Sequence, residues 1–202
     1  MKAITVAFVY DGDLREEANR AGRNYWYEYI REIADNLGLR AQEVPRRVLS
    51  DKDALREISV LMIGDLTAAQ LPNDAAGVLE EWVANGGVLI GMGTEGLDAL
   101  FGNTCTGISK QPVDDFTIAG FLRLLDDPVT QDVHSPLHPS QKLLLFSDVR
   151  LTIPVASKPL AKFYGPNGVY MGTAAITRRD LGAGAAFYFA FHVPKTVWVL
   201  QQ

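Results

Sequence analysis

Apolar residues fall along this chain in short runs that switch between two periods. Residues 3–10 (AITVAFVY) are β-branched and apolar almost throughout and stop at Asp11-Gly12, which predicts a central strand. Residues 24–37 predict a helix closed by Gly38, with Trp26, Ile30, Ile33 and Leu37 at helical spacing on its buried face. Residues 39–44 predict a second strand, ended by Pro45, and Asp51 predicts the cap of a short helix through Glu57. Residues 59–64 (SVLMIG) predict a third buried strand that stops at Asp65. A helix over residues 74–84, closed by Asn85-Gly86-Gly87, precedes a fourth strand over residues 88–91.

Strands alternating with helices in short units imply an α/β protein with a parallel sheet covered on both faces. After Gly96 the pattern changes. Residues 117–125, 142–152, 160–164, 169–177 and 185–191 all read as extended, with few helical patterns between them. The second half is therefore expected to add antiparallel strands to the core, as an edge or a side sheet. Gly182-Ala183-Gly184 marks the turn into the last strand.

A length of 202 residues suits one domain spanning residues 1–202, and such a chain can bury a full core without staples. The net charge of −5 and the lack of a basic stripe give no electrostatic support for nucleic acid or an anionic membrane as partner. No run of about 18 apolar residues is present, and the N-terminal apolar run is too short for a secretory signal. The single cysteine, Cys105, excludes an internal disulfide and fits a reducing, cytoplasmic compartment. The chain stops in an apolar helical stretch, TVWVLQQ, without cap or polar tail. That ending reads as the N-terminal part of a longer protein. Val197, Trp198 and Leu200 would then be covered by the sheet, by a following domain of the same polypeptide or by another subunit of a homo-oligomer.

Candidate chemistry centres on the turn after the fourth strand, Gly91-Met92-Gly93-Thr94-Glu95-Gly96. It matches the G-x-G-x-x-G pattern, but a dinucleotide site needs that pattern after the first strand and before a long helix. Here it follows the fourth strand, and the segment from Leu97 to Phe101 allows barely one turn. A tight backbone turn is the simpler reading, with Gly93 at a strand-to-helix elbow in a conformation unfavourable to a Cβ. No nucleophile stands at that apex. His134 and His138 have zinc-like spacing, but Pro136 denies them a helix, so a surface loop is expected. Cys105 shows no neighbouring base. Tyr25, Trp26, Tyr27 and Tyr29 form an aromatic cluster expected to pack inside the domain. Open α/β sheets bind ligands beyond the carboxyl ends of their strands, which selects Asp11, Asp65, Gly93, Thr94, Glu95 and His192 as ligand-binding candidates. No catalytic residue, metal ligand or cofactor is assigned.

The segment Trp82-Val83-Ala84-Asn85-Gly86-Gly87-Val88-Leu89-Ile90 resembles the helix-to-strand step of the class I glutamine amidotransferase-like superfamily. Its non-amidotransferase branches are the most similar, namely the trehalose-utilisation-like proteins and the trimerisation-type domain of some β-galactosidases. Asp127-Pro128-Val129-Thr130 is similar to the His-Pro-Ile-Thr of the former, and residues 182–191 look like their late glycine turn and apolar strand. The resemblance implies a flavodoxin-like parallel sheet flanked by helices. True members carry an elbow Cys activated by a His that a Glu two residues later orients. Gly93 stands in the place of the Cys, His192 matches the His, and Pro194 stands in the place of the acid. Glutamine hydrolysis is therefore not expected. The resemblance implies a non-catalytic interaction or ligand-binding module linked to carbohydrate metabolism. The alternative is a hydrolase using Asp11, Asp65 and Glu95, which would require those acids to converge in one pocket.

Overall fold

The computed structural model describes residues 5–131 and 141–202. Three apolar runs of the first half and the mostly exposed edge segment Gln42–Val44 form parallel strands: β1 (Val6–Val9), β2 (Gln42–Val44), β3 (Val60–Gly64) and β4 (Val88–Met92). β1 pairs with β2 on one side and β3 on the other, and β3 pairs with β4. Ala7, Leu61, Ile63 and Leu89 are fully buried there, as strands covered on both faces require.

The helices between them follow local signals. α1 (Gly12–Arg20) starts where the Asp11 carboxylate accepts the Asp13 amide. α2 (Ile30–Asn36) follows a 3-10 turn at Trp26–Tyr29. α3 (Lys52–Arg56) is capped by Asp51 through the amides of Asp53 and Ala54, and α4 (Ala75–Ala84) precedes β4. Helix α1 was not foreseen, because its mostly polar sequence buries little beyond Leu14 and Ala18. The helix expected over residues 24–37 is shorter. Leu37, expected inside, is 69% exposed, whereas Tyr27 is buried: the 3-10 turn rotates the chain before Ile30, so one helical stripe does not run through the segment.

The second half supplies β5 (Asn103–Ser109), β6 (Gly120–Leu124), β7 (Leu143–Leu145), β8 (Val149–Pro154), β9 (Lys158–Tyr164), β10 (Tyr170–Leu181) and β11 (Gly184–Phe189), then α5 (Val193–Leu200). All eleven described strands join one sheet, in the order β2-β1-β3-β4-β11-β10-β9-β6-β7, with β8 pairing to β10 and to β5. The expected antiparallel additions are present. One strand differs: β11 runs parallel beside β4, while β10 folds back antiparallel on it. β5 was also not foreseen, because it alternates buried and exposed residues with few apolar side chains.

The Gly182-Ala183-Gly184 turn explains how β11 enters the centre. A Cβ on Gly182 would collide with the Ala84 carbonyl, and the Ala183 amide donates to that same carbonyl. The hairpin therefore docks on the end of α4, directly before β4. His134 and His138 lie outside the described residues. No described helix is long and apolar enough to cross a membrane.

Candidate functional site

The carboxyl ends of β3, β4 and β11 meet at Gly93. Its φ of +66° is the left-handed conformation that glycine tolerates. Three backbone hydrogen bonds fix the turn: the Gly93 amide donates to Phe189, the Asp65 amide to Met92 and the Glu95 amide to Leu66. The helix expected after this elbow is absent; residues 97–102 make turns and lead into β5. All three glycines of the G-x-G-x-x-G pattern have packing reasons. Cβ atoms at Gly91, Gly93 and Gly96 would meet Phe101, His192 and Ala68. With the Gly93 and Glu95 amides bonded to carbonyls, this turn is not an open phosphate cradle.

His192 follows β11 and lies over Gly93. Its ring atoms Cε1 and Nε2 come within 3.1 Å of the point where a Gly93 Cβ would stand. Its Nδ1 is 3.6 Å from Asp65 Oδ1. Asp65 itself has φ +53°, a left-handed conformation that Asp tolerates better than most residues. The carboxylate beside His192 thus comes from the end of β3. The His192 amide donates to Ser147, and the Arg150 amide donates to Ala190. These bonds hold the segment entering β8 against the end of β11 and bring Asp148 into the same cleft.

Asp148 accepts the Gln111 amide at 2.8 Å and the Lys110 ammonium at 2.7 Å. Burial would push its carboxyl pKa up, but these two donors outweigh burial and hold it below the usual value. Beneath the elbow, the Arg150 guanidinium donates to the Thr94 carbonyl, to the Tyr188 hydroxyl and to Asp98. Burial opposes the Arg150 charge; Tyr188 and Asp98 overcome that and raise its pKa. Burial also raises the Tyr188 hydroxyl, so it stays a neutral donor to the Thr94 carbonyl.

Two adjoining cavities occupy this edge. The smaller, of about 220 Å³, is lined by Asp65, Gly93, Glu95, Asp148, Arg150 and His192 among others. The larger, of about 480 Å³, adds Trp26, Gln70, Gln111, Asp115 and Lys195. Of the six sequence candidates, Asp65, Gly93, Glu95 and His192 come together. Thr94 is buried beneath them and contributes its carbonyl. Asp11 does not join them: it caps α1, pairs with Arg46 at 3.1 Å and lines a separate cavity. Asp148, Arg150 and Lys195 were missed. The Asp148-Val149-Arg150 step was the available signal, since two charges interrupt a segment that otherwise reads as a buried strand. Among the described residues, no group of His, Cys, Asp and Glu could hold a metal ion. Cys105 is half-buried and its thiol donates to the Gly107 carbonyl.

No family model and no curated protein matches this sequence. Solved structures do share the fold. A β-galactosidase from Bacillus circulans sp. alkalophilus superposes with a TM-score of 0.68 at 16% identity, over 98% of this chain and 30% of that one. A cold-adapted β-galactosidase from Rahnella sp. R3 gives 0.67 at 14%, over 98% and 31%. A cytoplasmic protein from Salmonella typhimurium gives 0.53 at 13% identity, over 94% of this chain and 88% of that one. The chain thus spans under a third of the β-galactosidases that it matches.

Proposed function

We propose that this chain is a non-catalytic, amidotransferase-like domain that binds a small polar ligand in the cleft at Gly93 and His192 and works in carbohydrate metabolism. One observation carries the reading: the elbow beside His192 has no side chain, yet a cleft lined by polar groups remains open there. Thiolate attack on a carboxamide needs a sulfur at the elbow, and Gly93 offers only hydrogen. The parallel order β2-β1-β3-β4-β11 supports the flavodoxin-like part of the reading, and the β-galactosidase neighbours support the trimerisation-type branch. Fold likeness alone does not carry activity.

The cleft favours an uncharged, hydroxyl-rich ligand. Asp65, Glu95, Asn24, Gln70 and Ser147 offer acceptors and amide donors, while Lys110 and Lys195 are already paired with Asp148 and Asp115, leaving Arg23 to face the carboxylates Asp65, Glu95 and Asp148. A phosphorylated ligand would meet more carboxylate than free cation. The alternative of a carboxylate hydrolase is less well supported, because Asp11 lies in another cavity. A following domain or a second copy of the chain is the proposed partner, in keeping with the larger proteins that this domain matches.

Titration with galactose, lactose and glutamine, followed by NMR on labelled protein, tests the reading. Shifts confined to Asp65, Glu95, Asp148 and His192 with a sugar, abolished in His192→Ala, are expected. Protein-dependent ammonia release from glutamine that survives purification would overturn it, as would the absence of any cleft response to millimolar sugar.

A further inference from the structure

The segment between β5 and β6, residues 110–119, has no regular structure and forms one wall of the larger cavity through Gln111, Val113, Asp114 and Asp115. It buries little apolar surface of its own: Val113 is 83% and Phe116 60% exposed. Its polar ties to the body of the domain converge on two side chains. Asp148 accepts the Gln111 amide and the Lys110 ammonium. Lys195 donates to the Gln111 side chain at 2.7 Å and to Asp115. The polar bonds from Gln111 Nε2 to the Thr117 carbonyl and from Phe116 and Thr117 to Asp114 are internal to the segment and would survive its movement, while the Ala119 amide donates to the Leu145 carbonyl and fixes the segment's end beside β6.

Lys195 is unusual in being buried, at 7% exposed, on a helix that is itself anchored. Its ammonium lies 5.4 Å from the centre of the Trp26 ring, and one turn later Trp198 packs on Trp26 and Tyr29 at 5.3 and 5.6 Å. The latch point is thus rigid, whereas the segment it holds has little apolar anchoring beyond the half-exposed Phe116 ring 6.3 Å from that of Trp198. Segments with few buried apolar contacts and a handful of polar anchors open locally at low free-energy cost.

We propose that residues 110–117 form a lid at the side of the cleft, held part-closed by Lys195 through Gln111 and Asp115, and that unlatching widens the entry for the ligand. This rests on the ligand-binding reading of the cleft and assigns the step that controls entry. In the latched state the His192 and Asp65 side chains are 27% and 30% exposed, and the opened lid exposes them further while the sheet stays intact.

The test uses the free protein. Amide hydrogen exchange is compared for the wild type, Lys195→Met, Asp115→Asn and Lys195→Arg, together with the rate of carbethoxylation of His192 by diethyl pyrocarbonate, mapped by peptide mass. Exchange of the Gln111 amide, which bonds to Asp148 outside the segment, is expected to quicken about tenfold or more in Lys195→Met and Asp115→Asn, with β3 and β4 unchanged. His192 should react several-fold faster in the same variants, and Lys195→Arg should restore most of the protection. Unchanged exchange in the segment would overturn the lid. So would a uniform rise across the whole chain, which would make Lys195 merely structural. Sugar enters neither measurement, so a cleft that binds no sugar and a lid that does not open are separate failures.

Discussion

At the scale of single residues, the elbow is a close fit between a missing side chain and a present one. Gly93 combines a left-handed φ with a His192 ring 3.1 Å from its absent Cβ. Gly93→Ala should therefore cost about 1–2 kcal/mol from the backbone alone and also displace the ring. Thermal melting checks the first effect and the His192 ring resonances the second; an unchanged ring environment would contradict the packing described. Asp148 makes a prediction in pH. Its pKa is lowered by folding, so its contribution is present above the ordinary carboxylate value and is lost as pH falls through the lowered folded value. Asp148→Asn should shrink the loss of stability between about pH 4 and the acid limit, relative to wild type. A variant with the same acid limb as wild type would remove Asp148 from that account.

At the scale of elements, α5 and the 3-10 turn at Trp26–Tyr29 depend on each other. Trp198 touches Trp26, Tyr29 and Phe116, so the tail packs on its own domain, half-buried. Trp198→Ala should cost about 2 kcal/mol, below the range for a fully buried ring, and loosen Lys195 with it. Denaturant midpoints read the first; unchanged stability would show the aromatic packing to be idle. The central strands should be far less forgiving. Leu61 on β3 is fully buried, and Leu61→Asp would bury an unpaired charge at a cost of several kcal/mol. Cooperative melting near the wild-type temperature in that variant would contradict the central place of β3.

At the scale of the whole molecule, the order of folding contacts is the issue. β4 and β11 are neighbours in the sheet but nearly a hundred residues apart in the chain, so their pairing closes a long loop. The last strand is therefore the one that joins the parallel half to the antiparallel half. Truncation after Leu181 should leave β4 without one of its two partners and abolish cooperative unfolding, although ten of the eleven described strands would remain whole in sequence. Circular dichroism melts and dispersion of amide resonances report this; a sharp transition in the truncated chain would show that the two halves fold separately.

Periodicity alone was enough for β1, β3, β4, α4 and most extended segments of the second half, because apolar runs bounded by glycine and aspartate encode local geometry; the one segment expected over residues 142–152 divides at Phe146–Asp148 into β7 and β8, which pair with different strands. It also located the Gly93 turn and drew Asp65, Glu95 and His192 from three separate stretches as candidates. It did not yield α1 or β5, whose mostly polar or alternating residues carry little burial signal. Leu37 was misassigned because a 3-10 turn breaks the helical period before it. Which candidates meet was decided in three dimensions. Asp11 and Asp65 both end parallel strands, yet Arg46 and the start of α1 hold Asp11 in a different cavity. Asp148 and Lys195 enter the cleft only because Ser147 and Thr196 tie the approach to β8 against the end of β11 and the start of α5. Most strands and turns were legible in the sequence by itself from neighbours a few residues apart, β5 being the exception among the strands. Only the tertiary structure decided that the last strand enters the middle of the sheet, because that pairing depends on hydrogen bonds between segments nearly a hundred residues apart, and no local pattern encodes them.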